Sequence, residues 1–165
     1  MDKKKIGKVS ALIVALLVLV LALQGTHDWS VVGIYPGCRL SCRVLYPFYH
    51  AGLLHALLNA WCLLSITFIH DITLWRLSLA YVIATTIPSL CLSHTPTVGL
   101  SGLVFVLFGS ISFEVGRKLY YQSWMLLYLI VGFLLPGTNA WVHLYCYAAG
   151  VAVALLNKPI KISRQ

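Results

Sequence analysis

Charged side chains are scarce in this chain of 165 residues. Lys, Arg, Asp and Glu together make up 10% of the sequence, and only four of these residues are acidic. Hydrophobic residues make up 60%, and the mean hydropathy is +0.88. Soluble domains carry about 25% charged residues, so this composition excludes a soluble globular protein. At about 20 residues per span, we expect an all-α membrane protein with five or six spans in one domain, residues 1–165.

Metal-binding patterns are also missing. The five cysteines form no paired CxxC motif and no HExxH motif occurs, so we expect neither a metal nor a cofactor. Cys62, Cys91 and Cys146 lie in apolar runs and are expected to be packing residues. Cys38 and Cys42 would pair only if their loop faces an oxidising compartment, and the sequence leaves this open.

Apolar runs separated by polar turns predict six transmembrane helices. The first run follows a lysine-rich start, as in a signal peptide, but it lacks a small-residue cleavage pattern, so we interpret it as a helix. The loop after it carries Trp29, Tyr35 and Tyr46, which suit a bilayer interface. We expect the helices at residues 9–24, 48–69, 75–92, 101–116, 123–135 and 140–156.

The net charge of +8 would indicate a nucleic-acid partner in a soluble protein, but here it determines orientation. With the N-terminus inside, only Arg39 and Arg43 fall on outer segments. Ten basic residues then fall on inner segments: Lys3, Lys4, Lys5, Lys8, Arg76, Arg117, Lys118, Lys158, Lys161 and Arg164. This asymmetry predicts that both termini are cytoplasmic, and we expect no nucleic-acid partner.

Ser101 lies between Gly99 and Gly102 at the start of the fourth predicted helix. Flanking glycines allow a tight turn and close approach to the hydroxyl, as a nucleophile requires, but serine is also a common helix N-cap. The predicted helix of 16 residues is about 24 Å long, which is shorter than a hydrocarbon core of about 30 Å. Because basic residues hold its inner end at the surface, we expect Ser101 below the outer surface.

Three further polar residues are predicted at the depth of Ser101. His143 lies one turn into the sixth helix, and His55 and Asn59 share a face of the second helix. Polar groups inside a membrane are costly and indicate a functional site. His143 is the base within reach of Ser101, and His55, Asn59 and the Ser101 backbone N–H are candidate oxyanion donors. No acidic residue is predicted at this depth, so we expect a Ser–His dyad.

Small residues predict close packing of the fourth and sixth helices. Gly102, Gly109 and Gly116 recur every seven residues, and His143 and Gly150 share a face. If these faces meet, they bring Ser101 and His143 together, although such stripes also occur in ordinary helix seams.

Three motifs together resemble the rhomboid family of intramembrane serine proteases. They are His50-x4-His55-x3-Asn59, Gly99-Leu100-Ser101-Gly102 followed by Gly109, and His143 with Gly150. The resemblance covers essentially the whole chain and implies a six-helix bundle. It implies that Ser101 is the nucleophile, that His143 is the base, and that His55 and Asn59 stabilise the oxyanion.

The resemblance also implies a structural role for His50, which would tie the first loop to the second helix. The implied partners are the lipid bilayer and transmembrane protein substrates, which are cleaved near their outer ends after gaining access beside the second and fifth helices. The implied location is a bacterial cytoplasmic membrane with the site open to the outside.

Three positions depart from the family pattern. Phe105 stands where many members have a tyrosine that packs on the catalytic histidine, so the ring is kept and the hydroxyl is lost. Cys146 replaces a glycine, which predicts a wider contact between the fourth and sixth helices. Arg43 lies near the place of a loop arginine but lacks the adjoining tryptophan.

Two other functions are compatible with parts of this sequence. A catalytically silent rhomboid-like protein that binds membrane proteins would usually lack the serine or the histidine, and this chain has both. A metalloenzyme using His50, His55 and His143 is disfavoured, because His50 and His55 lie about 140° apart around a helix and no carboxylate is near. The natural substrate and the oligomeric state stay open.

Overall fold

The structure is a computed structural model that describes residues 2–25 and 28–156. Its regular secondary structure within these residues is helical, and the backbone pairing of Ile34 with Thr97 is an isolated bridge. The α-helices are α1 (Lys3–Leu23), α2 (Trp29–Val32), α3 (Leu40–Leu45), α4 (Leu53–Ile69), α5 (Leu74–Thr85), α6 (Ser101–Ser110), α7 (Lys118–Leu134) and α8 (Ala140–Leu156). Short 3-10 turns cover Tyr46–Phe48 and Ser89–Cys91.

Helix α1 begins at Lys3, six residues before the start predicted from the apolar run. The Asp2 side chain caps it by accepting a hydrogen bond from the Lys4 N–H at 3.1 Å. Lys4 and Lys8 then pair with Asp71 at 3.0 and 2.6 Å, which fastens the start of α1 to the turn after α4. Within the described residues, α1 alone is a continuous helix long and apolar enough to cross a membrane unaided.

The second predicted helix, 48–69, is interrupted by a bend. The segment Leu40–Phe48 meets α4 at 84°, and α4 begins only at Leu53. Tyr49 and Gly52 have extended backbones, so the 3-10 turn containing Pro47 does not continue into α4. His50 therefore lies in the bend before the helix and not on it.

Helices α5 and α7 also differ from the predicted bounds of 75–92 and 123–135. The hydroxyls of Thr85 and Thr86 bind the Val82 carbonyl at 2.8 and 3.1 Å, and Pro88 cannot continue the helix, so α5 ends at Thr85. Helix α7 begins at Lys118. Its first turn is held by the Tyr121 hydroxyl, which donates a hydrogen bond to the Phe108 carbonyl at 2.7 Å. The predicted bounds of α8, 140–156, match those observed.

Helix α6 is the central helix and ends at Ser110, not at residue 116 as predicted. Arg76 of α5 terminates it by donating to the Ser110 carbonyl and to the Ser110 hydroxyl. The same guanidinium pairs with Glu114 at 2.9 Å, which holds the turn after α6 against α5. The predicted helical stripe therefore stops at Gly109, and Gly116 lies beyond the helix.

Glycines set the closest approach of α6 to α8. A Cβ on Gly150 would overlap the Val106 carbonyl, and one on Gly109 would overlap the Tyr147 carbonyl. Cys146 is fully buried and faces Gly102. The two backbones are in close contact at Gly109 and Gly150. A wider contact at Cys146 than a glycine would give stays a prediction.

The three cysteines expected to be packing residues differ in burial. Cys91 and Cys146 are buried, as expected of packing residues, whereas Cys62 is half-buried. Cys38 and Cys42 are both free thiols, and Cys42 donates to the Val31 carbonyl at 3.2 Å. The pairing left open by the sequence is not formed in this structure.

Candidate active site

Ser101 is the first residue of α6, and its hydroxyl is directed at α8. Its Oγ lies 2.8 Å from the Nε2 atom of His143, which is hydrogen-bond distance. The N-cap position belongs to Leu100, and no side chain caps this helix. The alternative that Ser101 is an N-cap is therefore wrong, and the hydroxyl is engaged by the histidine instead.

His143 lies one turn into α8 with its ring held between Ser101 and Phe105. The Phe105 ring is stacked on the imidazole, with centroids 4.4 Å apart and planes 17° apart. Phe105 is itself buried in α6, so the imidazole rests on a packed surface. In this structure, residue 105 packs on the histidine with a ring that has no hydroxyl.

Gly99 allows the backbone to turn sharply into α6. Its φ of +129° lies in a region that L side chains rarely adopt. A Cβ there would also lie 2.9 Å from Cε1 of His55, so glycine is required for both conformation and space. The His55 ring thus lies against the residue two before Ser101.

His50 binds the segment that leads into α6. Its Nε2 accepts a hydrogen bond from the Leu100 N–H at 3.1 Å, and its ring meets the His55 ring edge-on at 4.8 Å. The resemblance implied a tie between the first loop and the second helix, whereas the observed hydrogen bond joins His50 to the residue before Ser101. The reason is that His50 lies in the bend before α4, from which it faces this segment.

Asn59 is buried and donates from Nδ2 to the His55 carbonyl one turn earlier in α4, at 3.0 Å. The side-chain amide carries a second N–H that this bond does not use. The oxyanion roles of His55, Asn59 and the Ser101 N–H remain predictions. Ser101 contributes its backbone N–H at a helix start, where such groups have no partner within the helix.

Tyr46 is a residue of the site that sequence reasoning missed. It is 1% exposed and so packs inside the protein, and its expected place at the bilayer interface stays a prediction. Its carbonyl accepts the Gly99 N–H at 2.9 Å, and its hydroxyl donates to the Ala84 carbonyl at 2.8 Å. Gly102 leaves the space that the Tyr46 hydroxyl occupies. No spacing in the sequence indicated this contact, because it joins segments 38 to 56 residues apart.

Arg43 lies beside Tyr46 and binds the same end of α5. Its guanidinium donates to the Ile87 carbonyl at 2.6 Å, just beyond the helix. Together the two side chains satisfy carbonyl groups where α5 ends, and they anchor the first loop there.

All four acidic residues of the sequence lie among the described residues, and each is engaged away from His143. Asp2 caps α1, Asp28 binds Ser30, Asp71 pairs with two lysines, and Glu114 pairs with Arg76. The hydrogen bonds from Ser30 hold the pKa of the Asp28 carboxyl below its usual value. Within the part of the chain that the structure describes, no group of His, Cys, Asp or Glu could hold a metal ion.

The described residues form a helical protein in which a serine and a histidine pair between α6 and α8, two helices in close contact. Residues 38–159 match the family model described as Rhomboid domain. The chain therefore belongs to the rhomboid family, and it is an integral membrane protein. No curated protein and no solved structure matches the chain.

Proposed function

We propose that this protein is an intramembrane serine protease that uses Ser101 as nucleophile and His143 as general base. The observation that carries this proposal is the distance of 2.8 Å between Ser101 Oγ and His143 Nε2. Serine is a weak nucleophile until a neighbouring base accepts its proton, and an imidazole at this distance can do so. The engagement of all four acids elsewhere supports a dyad without a third member.

In the proposed reaction, His143 carries its proton on Nδ1 and accepts the Ser101 proton on Nε2. The Ser101 oxygen attacks the substrate carbonyl carbon, and the carbonyl oxygen becomes an oxyanion. His55, the second Asn59 N–H and the Ser101 N–H donate to this oxyanion. The peptide bond then breaks, and His143 returns the proton to the leaving amine. Water attacks the acyl-serine and loses its proton to His143, which returns that proton to the Ser101 oxygen as the new carboxyl end is released.

The proposed topology has six spans, α1, α4, α5, α6, α7 and α8, with both ends cytoplasmic. Its support is the distribution of ten basic residues on inner segments against two on outer ones. With 10 residues, α6 is about 15 Å long, so in this topology it completes its span together with the non-helical segments before Ser101 and after Ser110. The substrates are transmembrane proteins cut near their outer ends, and the membrane is a bacterial cytoplasmic membrane.

A serine-directed probe tests the nucleophile directly. The purified protein in lipid is treated with a fluorescent fluorophosphonate and, separately, with a panel of single-span substrates. We expect labelling and cleavage by the wild type and neither by Ser101→Ala or His143→Ala. Ser41→Ala is a matched control in the first loop and should behave as the wild type.

The same experiment separates the protease from its alternatives. Cleavage that persists in Ser101→Ala, or that a chelator abolishes, would contradict serine catalysis. Binding of single-span proteins with neither labelling nor cleavage by the wild type would favour the catalytically silent rhomboid-like binding protein.

A further inference from the structure

The segment before α6 and the start of α8 are joined by one side chain, that of Asn139. Its amide oxygen accepts hydrogen bonds from the Thr97 hydroxyl at 3.2 Å and from the Ser93 N–H at 3.1 Å. Its amide nitrogen donates to the Cys91 carbonyl at 3.2 Å. These partners determine which way the amide faces. One half-buried side chain thus holds three groups along the path that leads to Ser101.

The positions of this contact mirror those of the Ser–His pair. Thr97 lies four residues before Ser101, and Asn139 lies four residues before His143. At the start of α8, Asn139 precedes His143 by one helical turn, an advance of about 6 Å, so along α8 the Asn139–Thr97 bond lies about one turn from the Ser101–His143 bond. Two hydrogen bonds, one turn apart, therefore connect the same two segments.

Thr97 is held from its other side as well. Its N–H and carbonyl both pair with Ile34 of the first loop at 2.9 Å. The start of α8 has less support from its own chain, because it follows an exposed turn that contains Pro136 and Gly137. Asn139 consequently connects the start of α8 to the segment at Thr97, which the first loop already holds.

We propose that Asn139 is a positioning residue that sets the distance between Ser101 and His143 by binding Cys91, Ser93 and Thr97. The proposal rests on the proposed function for its effect on catalysis, but its geometric content concerns the Ser101–His143 bond itself. A displacement of about 1 Å between reacting groups can lower a rate by as much as about a hundredfold. Loss of Asn139 therefore lowers the rate of the chemical step more than it weakens substrate binding.

The test uses the full-length protein in lipid with four variants. Asn139→Ala removes all three contacts, Thr97→Val removes one hydroxyl at nearly constant shape, and Thr97→Ser retains that hydroxyl. Thr138→Ala is the control in the same turn. We expect kcat and the fluorophosphonate labelling rate to fall by about tenfold in Asn139→Ala and less in Thr97→Val, as the loss of such hydrogen bonds predicts. KM should stay within about twofold, and Thr97→Ser and Thr138→Ala should match the wild type.

Stability is controlled by Ile72→Val, which opens a small cavity in the turn after α4, at the opposite end of that helix from His55. This variant should lower the melting temperature without lowering the labelling rate of the folded protein. If Asn139→Ala behaves in the same way, Asn139 is only a structural support and the proposal is overturned.

A spectroscopic measurement makes the proposal independent of activity. The ¹⁵N resonance of the His143 ring reports whether Nε2 accepts a hydrogen bond, and Ser101→Ala gives the signal without it. In Asn139→Ala we expect a shift towards that signal. A wild type that neither labels nor cleaves would contradict the proposed function, while this shift would still support the positioning role. An unshifted resonance in Asn139→Ala would overturn the positioning role whatever the activity.

Discussion

The imidazole of His143 and the phenyl ring of Phe105 lie nearly parallel, with centroids 4.4 Å apart. An aromatic pair of this kind contributes about 0.5–1.5 kcal/mol beyond its buried area. The stack therefore restrains the imidazole in the plane from which it reaches Ser101.

Replacing this ring should lower turnover. We expect Phe105→Leu to reduce kcat by roughly threefold to tenfold, because the imidazole loses the flat surface that restrains it. Phe105→Tyr keeps the ring and should retain most of the activity. The measurement is kcat on a single-span substrate, and equal loss in both variants would show that stacking is not the reason.

Substitution at the closest approach of α6 and α8 should separate these helices. Gly150→Ala places a Cβ on the Val106 carbonyl, so one backbone has to move. We expect a loss of about 2–3 kcal/mol in the free energy of unfolding, together with loss of Ser101 labelling. Gly116→Ala is the control, since a Cβ there has no neighbour within 4 Å. Thermal unfolding and probe labelling of both variants provide the comparison.

Gly99 and Gly137 differ in a way that separates backbone strain from crowding. Both have positive φ, but a Cβ on Gly99 meets the His55 ring, whereas one on Gly137 meets nothing within 4 Å. Gly137→Ala should cost about 1 kcal/mol of stability and leave labelling intact. Gly99→Ala should abolish labelling, because it displaces His55 or Ser101. Similar behaviour of the two variants would contradict the role given to crowding.

The turn after α4 should make stability depend on pH. Hydrogen bonds from Lys8 and Lys4 hold the pKa of the Asp71 carboxyl below its usual value. A lowered folded-state pKa gives stability that is present above the unfolded pKa of about 4 and is lost as pH falls through the folded value. We expect the melting temperature to fall on acidification from pH 5 to pH 3.

Asp71→Asn isolates this effect. Asn tolerates the positive φ of 50° at this position, so the backbone is unchanged while the charge is removed. The variant should be less stable than the wild type at pH 6, and the difference should shrink towards pH 3. A difference in melting temperature between the two proteins that is the same at every pH would contradict the contribution of the ion pairs.

The family and the central pair of residues could be derived from the sequence. The motifs around His55, Ser101 and His143 indicated the rhomboid family, and the match over residues 38–159 confirmed it. The Ser101 Oγ and His143 Nε2 atoms lie 2.8 Å apart and the Phe105 ring stacks on the imidazole, while the dyad itself stays a prediction. The six spans, the orientation and the catalytic roles remain proposals.

The helix ends were harder to predict because apolar runs do not mark them. Helix α6 ends at Ser110 because Arg76 arrives from α5 to bind its last carbonyl, although the apolar run continues. The bend before α4 likewise depends on Pro47 and on extended backbone at Gly52, within a stretch whose composition reads as a single span.

The sequence by itself determined which reactive groups the protein has. It is a membrane protein with Ser101 between glycines, a few polar residues predicted at the same depth, and four acidic residues. What only the tertiary structure decided is how Ser101 is held. Tyr46 accepts the Gly99 N–H, His50 accepts the Leu100 N–H, and Asn139 binds three groups of the preceding segment. These contacts join residues about 40 to 50 positions apart, so no local pattern encodes them. They arise because buried polar backbone groups need partners, and the fold determines which side chains are near enough to provide them.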